Sequence, residues 1–291
     1  MPGSMLSDQR PRVPENGHHG VALYGWKDAR HFQLLAQGVL LVCIVAGLDF
    51  SPPLSVGLLL VSGALVTQAA ASYLYALPRL EVRSALVTGL SLALLLRADV
   101  WWIYLLAGAL AIGSKFVVRI GGRHLYNPSN FAIVSLLLFS DHVWISPGQW
   151  GGSLWMVALI TLLCCQVLQR VSRLDIALYF LVIDAVLLSG RALWLGDPWS
   201  IPIHQLQNGN LLLFSFFMIT DPKTTPMSWQ GRLVYALMIA ALSYWLTFSE
   251  HLRPALLYAL AALSPTVLLI DYVLPVSPFA WWRRQSIQHA G

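Results

Sequence analysis

The sequence predicts an all-α polytopic membrane protein, with about ten transmembrane segments arranged as two inverted five-helix repeats. Three observations favour this fold. Apolar residues make up 57% of the chain and charged residues only 11%, whereas about a quarter of residues are charged in soluble domains. The apolar residues fall in runs close to the roughly 20 residues that span a bilayer as a helix. Lysines and arginines gather between alternate runs, as they do in the loops of membrane proteins.

The composition also excludes other classes of protein. A chain this apolar is neither an ordinary cytosolic protein nor a disordered one. The 18 basic against 13 acidic residues would suggest a nucleic-acid partner in a soluble protein. Here the bases lie between apolar runs, so we interpret them as topology signals and expect a lipid bilayer, not nucleic acid, as the partner. The three cysteines lie within apolar runs and show no metal-binding or disulfide spacing.

Residues 1–30 lack an apolar core followed by a small-residue cleavage site, so they predict a cytoplasmic tail and not a signal peptide. Ten apolar segments follow, at 31–49, 54–77, 84–96, 100–119, 127–140, 153–169, 174–190, 207–220, 232–249 and 254–275. They divide the rest of the chain into a first repeat (31–140), an outer loop (141–152), a second repeat (153–275) and a C-terminal tail (276–291).

The basic residues orient this arrangement. If the N-terminus is cytoplasmic and every segment crosses, the inside loops hold fifteen Lys and Arg residues and the outside loops only Arg97, Arg191 and Arg253. Because Lys and Arg in loops set the orientation of membrane proteins, this asymmetry supports the segment count as well. We therefore expect a multi-pass protein of the bacterial inner membrane with both termini in the cytoplasm.

Two segments, 84–96 and 207–220, are too short to span comfortably as continuous helices. They are third and eighth in order, so they occupy matching positions in two halves of five. An odd number of crossings per half makes the halves inverted, and short or broken segments at equivalent places indicate a binding site near the midplane. The alternative is that both are merely tilted or kinked helices.

The first candidate site is the junction between the fourth and fifth segments. Asn127 followed by Pro128 has the order of an N-cap and a first-turn proline. With Arg123 and Ser129 beside it, this helix start could hold an anionic or strongly accepting ligand group. The alternative is a well-capped helix whose loop arginine only follows the positive-inside rule.

The second candidate site is the junction after the eighth segment. Residues 218–226 contain two prolines and three threonines around Asp221, and such irregular backbone is tolerated at membrane depth only where protein or a wet cavity satisfies it. The predicted topology puts both junctions on the same side, so we expect them to converge. The candidate residues here are Thr220, Asp221, Thr224 and Arg232.

Asp184 lies in the middle of the seventh segment. An ionisable group at that depth indicates a functional site, because its burial is costly. A protonated or hydrogen-bonded aspartate that orders helix packing is an equal alternative. No metal site is expected, and the histidines lie at segment ends or in loops without the pairing of a haem site.

Several of these stretches resemble one family. Residues 84–90, Trp101-Trp102 and 121–128 are similar to the third-to-fifth-helix region of the RnfD/NqrB family, with its Gly-Arg/Lys-x-x-Phe-Asn-Pro loop. Residues 219–232 are similar to that family's Thr-Asp-Pro signature and following Gly-Lys/Arg, and 253–271 to its last helix. The resemblance covers roughly residues 30 to 275 in order and spacing, and two separated motifs in register are fairly specific.

The resemblance implies a subunit of a membrane redox pump, a class that passes electrons through flavins and couples electron transport to Na⁺ or H⁺ movement. It implies two inverted five-helix repeats, other membrane or flavin-bearing redox subunits as partners, and at most a subunit's share of an oxidoreductase activity. The opening at 24–33 looks more like the stand-alone branch, which includes the UnbU proteins encoded beside enediyne biosynthesis genes.

One departure from the family changes the expected cofactor. Pump subunits carry FMN covalently on a threonine between the fifth and sixth helices, but residues 140–152 contain no threonine here. We therefore expect a non-covalent flavin, FMN or riboflavin, near Asn127 and Asp221, since their side chains and helix-start N–H groups complement the donor and acceptors of its pyrimidine edge. A quinone is a weaker alternative for the same place.

Two other functions fit the residues. A small-solute transporter or channel uses the same inverted-repeat architecture with broken helices. A scaffold that docks other redox subunits is the third possibility. The colour of the purified protein tests the flavin-binding function against these two, because a bound flavin makes the preparation yellow and a colourless one favours the others.

We predict that no threonine of this chain carries covalent FMN, because the acceptor region lacks one. A denaturing gel viewed under ultraviolet light should show no fluorescent band, even after co-expression with a flavin transferase. An intense band would contradict the prediction and move the acceptor elsewhere in the chain.

Overall fold

A computed structural model describes residues 29–47, 54–77, 80–145, 154–171 and 173–275. Three of the expected parts lie wholly or partly outside the described residues. They are the C-terminal tail, the N-terminal tail up to residue 28, and residues 146–152 of the outer loop. The expectations for those parts stay predictions.

The described chain is predominantly helical, with a helix on every segment expected from the sequence. The helices are α1 (Ala29–Gly47), α2 (Leu54–Leu74), α3 (Val82–Leu95), α4 (Trp101–Val117), α5 (Pro128–Phe139), α6 (Leu154–Val171), α7 (Leu174–Leu195), α8 (Ser200–Leu206), α9 (Gly209–Leu213), a π-helix (Phe214–Met218), α10 (Trp229–Phe248), α11 (Ala255–Leu263) and α12 (Thr266–Val273). The described residues also form four short strands: β1 (Leu96–Ala98), β2 (Arg119–Ile120), β3 (Arg123–His124) and β4 (Val143–Ile145).

Within the described residues, three helices are long and apolar enough to cross a membrane, namely α2, α7 and α10. The pair α11 and α12 makes a fourth candidate span, bent by 55°. The helices α3, α4 and α5, and the stretch Gly209–Met218, are apolar but shorter. Shortness is thus not confined to the third and eighth segments, and α8 is an additional short helix that the apolar pattern does not predict.

The third segment ends early because its backbone becomes extended. β1 follows α3 directly and pairs antiparallel with β4, with Leu96 opposite Ile145. The buried guanidinium of Arg97 donates to the carbonyl oxygens of Ala93 at 3.0 Å and Leu96 at 2.8 Å. Strand pairing and this side chain together satisfy backbone groups that a broken helix leaves without partners.

The eighth segment is irregular at both ends. The side chain of Asn208 caps α9 by accepting from the backbone N–H of Asn210 at 2.9 Å. The helix then widens into the π-helical turn, a feature that occurs frequently at functional sites. At the far end the Thr220 hydroxyl donates to the carbonyl oxygen of Phe216 at 2.6 Å, so side chains stabilise both ends.

Helix packing follows the same order in the two halves of the chain. In the first half α2 packs against α4, and α4 against α5; in the second half α7 packs against α10, and α10 against α11. Contacts between α1 and α6, and between α5 and α11, join the halves. The first helix thus contacts the sixth, and the fifth contacts the first helix of the bent pair α11 and α12.

The packing of α2 on α4 depends on glycine. A Cβ at Gly108 would collide with the Leu60 carbonyl oxygen and lie 2.7 Å from the Ala64 nitrogen, and one at Gly63 would meet the backbone of Leu105. Small residues let helix backbones approach this closely in membranes. Gly113, on the same helix α4, has no such neighbour within 4 Å.

We expect Gly108→Ala to lower stability by about 1–3 kcal/mol, because the added methyl must push two backbones apart. The thermal midpoint of the detergent-solubilised protein, followed by tryptophan fluorescence, measures the loss. Gly113→Ala is the matched control and should leave the midpoint unchanged or raise it, since alanine favours helix more than glycine. Equal midpoints for the two variants would contradict close packing at Gly108.

Candidate functional site

The two junctions expected from the sequence meet at one cavity of about 310 Å³. We call it the junction cavity. Its walls come from α1, α3, the end of α4, the start of α5, α6, and the π-helix with the turn that follows it. Four of the seven sequence-derived candidates line it, namely Asn127, Ser129, Thr220 and Asp221.

Asn127 caps α5 and also ties the two halves together. Its Oδ1 accepts from the backbone N–H of Asn130 at 3.2 Å, as expected of an N-cap. Its Nδ2 donates to the carbonyl oxygen of Met218 at 3.3 Å, at the end of the π-helix. The amide therefore does more than cap, because it also satisfies a carbonyl of the opposite half. One Nδ2 hydrogen remains for a further acceptor.

Ser129 and Thr220 line the cavity with hydroxyls whose protons are already used. The Ser129 Oγ donates to the carbonyl oxygen of Thr88 at 3.3 Å, and Thr220 donates to Phe216. Both side chains are buried. Each hydroxyl oxygen can therefore still accept a hydrogen bond but has no second proton to donate.

Asp221 is the acidic group of the cavity. Its Oδ2 lies 3.5 Å from Nε2 of His124, and its Oδ1 accepts from the backbone N–H of Lys223 at 3.0 Å. Burial alone would raise the pKa of Asp221. The hydrogen bonds from His124 and the Lys223 N–H, together with the charge of Lys115, lower the pKa by more, so the net pKa lies below its usual value. The carboxyl is thus ionised at neutral pH and acts only as an acceptor.

The structure places the other three candidates outside the lining. Arg123 donates from Nε and Nη2 to the carbonyl oxygens of Lys223 and Thr225, both at 3.1 Å, and from Nη1 to Asp271 at 3.0 Å. These bonds engage all three guanidinium nitrogens. Arg123 thus holds the second junction against the first, with the carboxylate of Asp271 as its partner.

Thr224 and Arg232 also serve the second junction. The Thr224 hydroxyl lies 3.5 Å from the carbonyl oxygen of Asp221 within the turn. Arg232 pairs with Asp175 of α7 at 2.6 Å and donates to the carbonyl oxygen of Met227 at the same distance. Both residues fix the backbone that carries Asp221 without reaching the cavity.

Lys115 is a cavity residue that the sequence indicates only as a loop charge. Its Nζ lies in the last turn of α4 and donates to Ser84 Oγ at 2.9 Å and Thr88 Oγ1 at 3.0 Å. With Ser91, these two hydroxyl residues form a polar stripe on α3 that faces the cavity. The spacing of residues 84, 88 and 91 along one helix face is the signal that could have found them.

Asp184 lies elsewhere. It is buried and lines a separate cavity of about 260 Å³ with residues of α9 and α10. The sequence-derived candidates thus fall into two places, with Asp184 apart from the two junctions.

One protein family matches the second half of this chain. The model of the NQR2, RnfD, RnfE family matches residues 134–279, which is 146 of the 291 residues, or half the chain. The chain belongs to the NQR2, RnfD, RnfE family. The matched range includes Asp184 and Asp221. Membership and the set of apolar helices agree with a multi-pass membrane protein.

Curated relatives in this family carry a functional name. The chain is 33% identical over 125 residues to the D subunit of the ion-translocating oxidoreductase complex of Citrobacter koseri, covering 43% of this chain and 34% of that protein. It is 36% identical over 81 residues to the protein of the same name from Alcanivorax borkumensis, covering 27% and 24%. The aligned part thus spans about a third or less of the relatives' length.

We expect the Arg123 and Asp271 pair to stabilise the junctions. Arg123→Gln should lower the thermal midpoint, because two carbonyls and a carboxylate lose their donor. Asp271→Asn should do the same, and the double variant should fall short of the sum, with a coupling of about 0.5–3 kcal/mol.

Arg119→Gln is the matched control for this cycle, since that exposed guanidinium donates to the carbonyl oxygen of Gly122 in its own turn. Its midpoint should stay within experimental error of the unmodified protein. Strict additivity of Arg123→Gln and Asp271→Asn would show that the pair does not join the junctions.

Proposed function

We propose that this protein is an integral membrane subunit of an electron-transfer complex, and that it binds a flavin non-covalently in the junction cavity. Family membership and the relatives' name, which describes a component of an ion-translocating oxidoreductase complex, support the redox role. The observation that carries the site is the meeting of an ionised Asp221, the Asn127 amide and the Lys115 ammonium around one cavity.

These side chains fit the pyrimidine edge of an isoalloxazine. That edge presents one N–H donor flanked by two carbonyl acceptors; Asp221 accepts from the donor, while Asn127 and Lys115 donate to the acceptors. Phe216 and Phe217 add apolar wall, and a volume of about 310 Å³ is at the lower end of the usual range for ligand cavities. The bound group supplies the electron chemistry, and the protein sets its position and potential.

The similar order of helix contacts in the two halves of the chain supports two inverted repeats with ten crossings. The distribution of Lys and Arg between the loops supports cytoplasmic termini in a bacterial inner membrane. In this architecture the site lies where the broken third and eighth segments meet. Coupling of electron transfer to ion movement, and association with other membrane redox subunits, are the roles that the names of the relatives suggest.

The experiment measures flavin retained per protein after size-exclusion chromatography, with riboflavin or FMN added during purification. Asp221→Ala leaves the ligand N–H without a partner in a water-poor cavity, which costs about 1–3 kcal/mol, or roughly ten- to hundredfold in affinity. Asn127→Ala should weaken the same ligand. Because both residues contact one ligand, the double variant should be less than additive.

Asp141→Asn is the matched control, since that carboxyl is exposed and does not line the cavity. It should retain as much flavin as the unmodified protein. Equal flavin in all variants, with the protein still folded, would mean that the two junctions only cap helices. A colourless unmodified protein in saturating flavin would reject the flavin and favour the small-solute transporter.

A further inference from the structure

Lys115 joins two helices of the first half at the wall of the junction cavity. It lies in the last turn of α4, and its Nζ donates to Ser84 Oγ at 2.9 Å and to Thr88 Oγ1 at 3.0 Å, on successive turns of α3. A longer contact of 3.4 Å reaches the carbonyl oxygen of Ser84. That oxygen already accepts from the Thr88 hydroxyl at 2.8 Å. The third N–H of Lys115 is therefore only weakly engaged and is available to a ligand in the cavity.

The side-chain nitrogen of Lys115 carries a positive charge. Its three contacts are all oxygen atoms that accept a hydrogen bond from it, and a lysine nitrogen that donates three times is an ammonium. The last turn of α4 favours a cation as well, because the final carbonyls of a helix carry partial negative charge. The positive charge is thus a fixed feature of the cavity wall.

No carboxylate neutralises this charge by direct contact. Among the described residues, no ion pair joins Lys115 to an acidic side chain. The carboxylate of the cavity, Asp221, instead accepts from the Lys223 N–H at 3.0 Å and lies 3.5 Å from His124. The ammonium and this carboxylate therefore line one cavity without forming a pair. A ligand that gains negative charge beside Lys115 would supply the partner that a partly buried cation favours.

The flavin of the proposed function gains such a charge when it is reduced. Two electrons and one proton enter the neutral isoalloxazine; the proton goes to N5, and one negative charge remains on N1 and the neighbouring carbonyl oxygen of the pyrimidine ring. The electrons come from a redox partner in the complex and from dithionite in the test below. A protein charge close to N1 is one of the means by which proteins tune a bound flavin.

We propose that Lys115 binds the reduced flavin more tightly than the oxidised flavin, and so raises the reduction potential of the cofactor in the junction cavity. Ser84 and Thr88 are positioning residues that hold the ammonium in place. This inference rests on the proposed function, because it requires a flavin beside Lys115. A charge that is fixed before the reaction stabilises the product without reorganisation, and it acts more strongly in a partly buried cavity than in water.

The test is a redox titration of riboflavin bound to the purified full chain, with dithionite as the reductant and absorbance as the readout. Riboflavin has no phosphate, so only its ring changes charge. Lys115→Gln keeps a hydrogen-bond donor but removes the charge, and it should lower the affinity for reduced relative to oxidised riboflavin at least tenfold. For a two-electron couple this is a fall of about 30 mV in the midpoint potential. Lys115→Arg keeps the charge and should stay close to the unmodified protein.

Arg119→Gln is the matched control, since it removes an exposed positive charge that does not line the cavity. Its midpoint potential should equal that of the unmodified protein. An unchanged potential in Lys115→Gln with riboflavin bound would overturn the proposal and leave the flavin site standing. An unmodified protein that binds no riboflavin would overturn both. Where Lys115→Gln fails to fold or to bind riboflavin, Thr88→Val decides, because it removes one anchor of the ammonium. Equal potentials in Thr88→Val and the unmodified protein then overturn the proposal.

Discussion

The structure depends on satisfying backbone carbonyls where helices break inside an apolar protein. Unpaired carbonyls of this kind are costly away from water, and the start of α5 supplies the donors. The Asn127 amide reaches Met218, and Arg123 just before it reaches Lys223 and Thr225. The Asn130 amide also donates to the carbonyl oxygen of Leu257, within α11, at 3.2 Å. One short stretch of the first half thereby fixes the broken ends of the second half.

The junction cavity is a consequence of this arrangement. Because α3 and the π-helical stretch are too short to fill the space between longer helices, side chains from several elements face a common gap. Lys115 bridges part of it through Ser84 and Thr88, and Asp221 approaches from the other half beside His124. Charged groups of opposite sign are therefore held on rigid helix ends, which is the preorganisation that a cofactor site requires.

The sequence predicts the helical segments and the two junctions well, because hydropathy and helix-start residues are local signals. It does not predict the π-helix. It also misses the extended turn at Leu96, which depends on pairing with a strand distant in the chain. Arg123 and Lys115 show why the roles of side chains are harder to predict than helical segments. Both look like loop charges in the sequence, yet tertiary contacts place one between the junctions and the other against the cavity.

The π-helical turn gives the two cavities a shared wall. Phe214 faces one cavity and Phe216 and Phe217 face the other, so a displacement of this turn changes the shape of both. Side chains also hold this turn: Asn127 donates to the carbonyl oxygen of Met218, at its end, and Thr220 donates to that of Phe216, in its middle. Asn127, which lines the junction cavity, therefore bonds directly to the segment that also bounds the separate cavity lined by Asp184, so the hydrogen bond from Asn127 to Met218 is a physical link between the two cavities.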